Sequence, residues 1–175
     1  MEASYSIELA QPEYLHKLSE IESQAASLFR GWNVPQSVLE EATPLEEFQA
    51  AQAAGLLWVA LSPQRHPVGF ALVEREGLRL HLEELDVHPQ HGRRGIGRTL
   101  VETVGAWARD HGYAEITLTT YRDIPWNGSF YAKLGFQVLG AAELTPTLRE
   151  RVEAEAARGL DPALRVVMCK ALGTD

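Results

Sequence analysis

Three glycines and three arginines share the seven residues Gly92-Arg93-Arg94-Gly95-Ile96-Gly97-Arg98. Glycine lets a backbone approach a ligand closely and take positive φ. Arginine brings charge and fork-shaped donors matched to phosphate oxygens. The stretch from Leu78 to Val87 precedes the run and reads as a long strand ended by His88-Pro89. From Gly95 to about Asp110, residues Leu100, Val101, Val104, Trp107 and Ala108 recur at helical spacing. The loop therefore joins a strand's end to a helix's start, where unpaired N–H groups and the helix dipole favour an anion. The implied chemistry is phosphate or pyrophosphate binding.

Three nucleotide-type readings compete for this loop. A Walker P-loop needs a Gly-Lys-Ser/Thr ending, which is absent. A dinucleotide-dependent oxidoreductase needs Gly-x-Gly-x-x-Gly, and Gly95-Ile96-Gly97-Arg98-Thr99-Leu100 lacks the third glycine. Glu115 does fall about twenty residues on, as that fold wants, but at least three strands precede the loop. The third reading is an acyl-CoA pyrophosphate loop. His88 and His91 stand three apart, but beside Pro89 and without a third ligand they point to a turn rather than a metal.

Groups able to move protons lie just upstream. Strict alternation along the strand puts His81, Glu83 and Leu85 on one face and Leu82, Glu84 and Asp86 on the other. A histidine titrates near neutrality unaided. A glutamate needs burial to raise its pKa, or acts through a water.

The elements that must hold these groups follow from periodicity. Ser4 to Leu9 alternates as a short strand. Pro12 opens a helix whose apolar face is Leu15, Leu18, Ile21, Ala25, Leu28 and Phe29. Gly31 to Pro35 breaks it, and a second helical stretch runs from about Ser37 to Ala54, interrupted near Pro44. Strands follow over Leu56–Leu61 and Val68–Glu74, then the long strand to Val87. Ala114, Ile116 and Leu118 alternate with polar residues as a half-buried strand. A loop and short helix lead through Leu134 to a strand at Phe136–Leu139. A charged helix spans Thr145 to Arg158, and a last strand Leu164 to Leu172. Hairpin strands first, then alternating strands and helices, give an α/β (α+β) class with a mixed sheet.

The 175 residues suit one domain, 1–175, and 45% hydrophobic residues suffice for a core without staples. Cys169 is alone, so no internal disulfide forms, and its place on an apolar strand marks it as a core residue. No apolar run is long enough to span a bilayer, and Met1 to Tyr5 lacks the features of a signal peptide. A cytoplasmic protein that binds neither membrane nor nucleic acid is expected, the net charge being −8. Residues 1–60 hold nine Glu and no Asp against one Lys and one Arg, a charge of −7. An acidic first third beside a basic cluster points to a cationic ligand at one place and an anionic one at another, or to a solvated acidic surface.

Val87-His88-Pro89 followed by His91-Gly92-Arg93-Arg94-Gly95-Ile96-Gly97 resembles the acetyl-CoA signature of the GCN5-related N-acetyltransferases. Asn127-Gly128-Ser129-Phe130-Tyr131-Ala132-Lys133-Leu134-Gly135-Phe136 is similar to that family's second signature, in the right order. The likeness is close over roughly residues 78 to 140. It implies a GNAT-type fold, a mixed six- to seven-stranded sheet flanked by helices and splayed between the fourth and fifth strands. The pantetheine arm of acetyl-CoA would pair with main-chain groups of Leu85 and Val87. The amides of Arg93, Arg94, Gly95, Ile96, Gly97 and Arg98 would hold the pyrophosphate, with Thr99 beside them. Gly92 stands where the family often has Gln or Arg, a position that contributes mainly backbone.

The resemblance also assigns roles in catalysis. Tyr131 matches the tyrosine that protonates the leaving thiolate. Either Glu83 or His81 would take the amine's proton, unless a bulge, common in this strand of the family, brings Glu84 inward. Many members carry an Asn seven residues before the tyrosine, where this chain has Ile124. Asn127 lies four before, either contacting CoA or capping the short helix. Glu22 lies on a helix that walls the acceptor pocket, where it would bind a substrate cation or sit at the water's edge. Trp32 and Trp126 fall in loops that would border the same pocket. The expected function is direct acetyl transfer from acetyl-CoA, without metal, to a small cationic amine. The alternatives are a protein N-terminus or lysine as acceptor, or a non-catalytic CoA-binding regulatory module. A monomer and a homodimer both accord with the final strand, which has partners within the chain or across a dimer.

Overall fold

A computed structural model describes residues 4–173. Strand β1 (Ser6–Leu9) leads to Pro12, which begins a 3-10 turn at Pro12–Lys17. Helix α1 (Leu18–Ala26) continues it, and a second 3-10 turn, Ser27–Phe29, ends it. The single helix expected here is thus tightened at both ends, and its face holds only in part: Leu15, Leu18, Ile21 and Ala25 are buried, but Leu28 is exposed and Phe29 half-buried, because the 3-10 turn rotates them off the face. Pro44 divides the next stretch into α2 (Gln36–Leu39) and α3 (Leu45–Ala53). Proline cannot donate into a helix and disfavours helical geometry just before it, so it starts α3 instead of continuing α2.

Strands β2 (Leu57–Leu61), β3 (Pro67–Glu76) and β4 (Arg79–Val87) form an antiparallel meander. Helix α4 (Ile96–Asp110) returns the chain to β5 (Glu115–Tyr121), parallel to β4. Helix α5 (Gly128–Lys133), the two-residue β6 (Gln137–Val138), α6 (Pro146–Ala157) and β7 (Arg165–Ala171) complete the described chain. The seven strands lie in the order β1-β2-β3-β4-β5-β7-β6. The last strand pairs with β5 and β6 of its own chain.

Both faces of the sheet are covered, which is why β2 is buried at every position. Leu100, Val101 and Val104 of α4 pack on Trp58, Ala71, Val73, Leu80, Leu82, Ile116 and Leu118. Leu18, Ile21 and Phe48, from α1 and α3, pack on Leu57, Val59, Leu61, Phe70 and Leu72 across the other face. Cys169 departs from its expected core place. It is half-buried, its Sγ 3.2 Å from Glu115 Oε2, and its thiol pKa is pushed up to about 12, first by burial and then by that carboxylate.

Two irregularities shape the centre of the sheet. Strands β4 and β5 pair only at Arg79↔Glu115, Leu80↔Ile116 and His81↔Thr117, and beyond His81 they part. In the β3–β4 ladder Val73 faces Leu82 while Leu72 faces Glu84, leaving Glu83 as an extra residue. Such a bulge bends its strand and resets which side chains share a face.

Candidate active site

Gly95 has φ 79° and Arg93 has φ 60°, so the loop coils tightly before α4 begins. Left-handed geometry is natural for glycine and costs any other residue energy. Among the described residues, the amides of Arg93 through Arg98 have no acceptor in the protein. The amide and hydroxyl of Thr99 both bond the Gly95 carbonyl, each at 3.0 Å. Thr99 therefore closes the helical turn, and its donors are not available to the cradle as the sequence had implied. Gly97 packs against Phe130 and Val87: an added Cβ would lie 3.4 Å from the Phe130 ring and 3.9 Å from Val87 Cγ2. The free amides thus sit directly over the end of β4.

Leu85 and Val87 offer a second set of free backbone groups. The His88 amide donates to Val68 O at 2.8 Å, and the ladder then pairs Asp86 with Phe70 and Glu84 with Leu72. Bonded and non-bonded pairs alternate in an antiparallel ladder. Leu85 and Val87 are the non-bonded positions, so their N–H and C=O groups turn towards the gap where β5 has left β4. A buried strand edge and six free amides adjoin one another along one path.

The bulge corrects the expected alternation. Cross-strand partners share a face, so His81, Glu84 and Asp86 lie with Glu74, Leu72 and Phe70 on the side covered by α1. Leu85 and Val87 pack with Leu80 and Leu82 on the α4 side. His81 is 2% exposed and its Nδ1 lies 2.9 Å from Thr117 Oγ1. Burial, with the nearby charge of Arg151, lowers its pKa to about 3, so it stays neutral. Glu83 is tied to Arg151 of α6 at 2.5 Å, and the same guanidinium holds Glu74 at 2.8 Å and Glu76 at 2.6 Å. Burial raises the Glu83 carboxyl while Arg151 pulls it down. Both expected bases are therefore engaged in the frame of the protein.

Glu84 and Asp86 are not. Their side chains have no hydrogen bond or ion pair among the described residues, and both keep part of their surface open. Burial raises both carboxyls, and Asp86 and Glu22 raise Glu84 further, as Glu22 does Asp86. Glu22 itself is 8% exposed and turned inward, but both its oxygens are taken by Thr43, whose amide lies 3.0 and 3.2 Å away and whose hydroxyl donates at 2.7 Å. It braces the loop before α3.

Tyr131 of α5 is packed between Phe130 and Phe136, with ring centroids 5.0 and 5.7 Å away. Its hydroxyl makes no hydrogen bond among the described residues. Burial, then the fields of Asp86 and Glu84, push its pKa far up, so it keeps its proton. Asn127 does not cap α5 with its side chain, and its Oδ1 accepts from Thr120 Oγ1 at 2.7 Å. Phe29, Trp126 and Trp32 stack edge to face in sequence, 5.6 and 5.5 Å between centroids, and Phe29 also meets Tyr121 at 6.0 Å. They form an aromatic rim beyond the end of α1.

A strand edge opened by a splay, continuous with free amides at a helix start, is a site for a long phosphate-bearing ligand. The model of the acetyltransferase (GNAT) family matches residues 16–136, which include the edge of β4, the glycine loop and Tyr131. The chain belongs to the GNAT acetyltransferase family. Among relatives of this GNAT chain is the peptidyl-lysine N-acetyltransferase YjaB of Escherichia coli (strain K12), 33% identical over 88 residues, 50% of this chain and 54% of that one. Human N-acetyltransferase 8 is 30% identical over 112 residues, 61% of this chain and 49% of that one. The chain spans about half the length of the curated relatives it matches. The fold is shared with the PaiA N-acetyltransferase from Thermoplasma acidophilum in complex with coenzyme A, with TM-score 0.75, 18% identity and coverage of 96% and 99% of the two chains. It is also shared with the ribosomal-protein-S18-alanine N-acetyltransferase from Escherichia coli, with TM-score 0.69, 16% identity and coverage of 98% and 96%.

Unbroken alternation does not single out Asp86 in this GNAT chain, because it hides which residue a bulge will absorb. The one signal was the acidic run Glu83-Glu84 followed by Asp86 within a buried strand, since carboxylates are rarely buried without a role. No helix among the described residues is long and apolar enough to cross a membrane, and no group of metal-ligating side chains occurs among them.

Proposed function

We propose that this protein transfers an acetyl group from acetyl-CoA directly to a small cationic amine. The observation that carries the reading is the run of free amides from Arg93 to Arg98, continuous with the open edge of β4 at Leu85 and Val87. Free N–H groups at a helix start favour pyrophosphate, and a bare strand edge accepts an amide-bearing chain such as pantetheine. Acetyl-CoA supplies the activated acetyl group as a thioester. Arg93, Arg94 and Arg98 are exposed around the loop and add charge for phosphate. Tyr131 holds its proton and serves as the acid for the departing sulfur. Asn127 lies beside it and steadies the turn into α5.

The cationic acceptor follows from charge. Glu84 and Asp86 stand unpaired, with Glu22 adding its field, on the face opposite the one covered by α4. Carboxylates gathered without a cation attract one. The name of the YjaB relative supports a second acceptor, a lysine side chain of a protein, which is also a long-stemmed ammonium. Uncommitted carboxylates and a protonated tyrosine disfavour a purely regulatory CoA-binding module.

A thermal-shift series with acetyl-CoA, CoA, NAD and ATP tests the donor. Stabilisation by acetyl-CoA and CoA is expected, and stabilisation by NAD alone would overturn the reading. Thiol release from acetyl-CoA is then followed with alkyl diamines, lysine-containing peptides and peptides with a free N-terminus. Turnover of the diamines above both peptide sets is the expected result. Preference for a peptide moves the acceptor to protein, and binding without thiol release across the panel favours the regulatory module.

A further inference from the structure

We infer that Tyr5 is a positioning residue for the phosphate loop: through His91 it fixes the turn that presents the free amides from Arg93 to Arg98. The inference rests on the acetyl-CoA reading above and concerns how that donor is held. The Tyr5 hydroxyl lies 2.9 Å from His91 Nδ1, 86 residues away in sequence. The two rings meet edge to face, 5.7 Å between centroids at 84°. A hydroxyl both donates and accepts, so either tautomer of a neutral imidazole keeps this bond. Burial, then His88 and the charge of Arg94, hold the His91 pKa below its ordinary 6.5. The ring is therefore neutral at neutral pH and anchors the loop instead of adding charge to it.

Strand topology delivers Tyr5 to this place. Neighbouring strands from β1 to β4 are antiparallel, so the start of β1 and the end of β4 share one end of the sheet. Tyr5 and Ile7 share a face by alternation, and both pack on the core that α4 covers. Tyr5 is half-buried there, and its hydroxyl reaches the loop.

The loop needs an outside anchor. Arg93 takes φ 60° without being a glycine, two residues before Gly95 at φ 79°. Left-handed backbone outside glycine costs energy and persists only where its surroundings hold it. Upstream, the His88 amide donates to Val68 O at 2.8 Å, and downstream the Thr99 amide donates to Gly95 O at 3.0 Å. Between these points the amides of His91 and Gly92 reach only back into the same turn, to His88 O at 2.8 Å and Pro89 O at 3.1 Å. Among the described residues, Tyr5 is the one side chain outside the loop and α4 that hydrogen-bonds this segment. The Tyr5 ring also lies under Arg94, whose Cζ is 6.0 Å from the ring centroid, at the edge of cation–π range. One residue ahead of β1 thus bonds the turn before the free amides and steadies a guanidinium among them.

The test titrates CoA calorimetrically into variants of the full chain, beside steady-state kinetics in acetyl-CoA. Tyr5→Phe keeps the ring under Arg94 and removes only the hydroxyl. Loss of the one bond that orders the turn is expected to weaken CoA about five- to tenfold. The acetyl-CoA KM should rise in step, with kcat within about twofold of wild type. His91→Leu should weaken CoA similarly. The double variant should lose no more than the larger single loss, because one bond is removed in both. His91→Asn places an amide near the position of Nδ1 and should recover most of the affinity lost in His91→Leu. Wild-type affinity in Tyr5→Phe, additive losses in the double variant, or His91→Asn as weak as His91→Leu would overturn the assignment. A fall in kcat with KM unchanged would overturn it too. A wild-type chain that binds no CoA would count against the proposed function instead.

Discussion

The guanidinium of Arg151 lies 2.5 Å from the carboxylate of Glu83 and joins it to Glu74 and Glu76. One arginine on α6 thereby ties the β3–β4 hairpin down and engages Glu83. Replacing Arg151 by Ala leaves three carboxylates crowded together. Breaking a buried pair costs about 3–5 kcal/mol, and partial exposure of these side chains reduces that to about 2 kcal/mol. Urea unfolding of Arg151→Ala checks it, and CoA affinity should change little. A loss below about 0.5 kcal/mol would mean the cluster is merely solvated.

The phosphate loop makes a separate prediction. Gly95→Val forces a branched side chain to φ 79°, at a cost of about 1–2 kcal/mol of stability, and it should weaken CoA binding as the cradle shifts. Arg93→Ala with Arg94→Ala should raise the acetyl-CoA KM about five- to tenfold, for a loss near 1 kcal/mol, and reduce its salt dependence. An unchanged KM would leave the amides as the sole phosphate ligands.

Tyr131→Phe removes the acid and leaves the packing with Phe130 and Phe136. A fall in kcat of about 10²–10⁴-fold is expected, with the acetyl-CoA KM nearly unchanged. Steady-state kinetics with saturating amine decides this, and a wild-type kcat would rule the role out.

His81 makes stability fall in acid. Its ordinary value of 6.5 drops to about 3 in the fold, so the unfolded chain binds the extra proton first. Stability is lost as pH falls through that interval. His81→Gln should flatten this limb, seen as chemical midpoints measured from pH 7 down to pH 4. Glu84 and Asp86 act in the opposite sense. Their raised values favour the folded state in acid, and that contribution is lost as pH climbs above the ordinary carboxylate range. Asp86→Asn should therefore gain relative stability towards alkaline pH. An acid limb as steep in His81→Gln as in wild type would remove the histidine from the account.

Much of this protein is determined by its sequence alone. Gly92 to Arg98 marks the phosphate loop because glycine and arginine have local effects that need no tertiary contact. The strands and helices follow from periodicity, and Tyr131 from its place in a signature. Tertiary structure alone decided which acidic residues are free. Strand alternation is a local rule, and one extra residue at Glu83 overturned it because β3 and β4 had to match hydrophobic faces across a mismatch. Arg151 reaches Glu83 from 68 residues away, and Thr43 reaches Glu22 from 21. Such long-range partners engage His81, Glu83 and Glu22, while Glu84 and Asp86 keep no side-chain partner among the described residues.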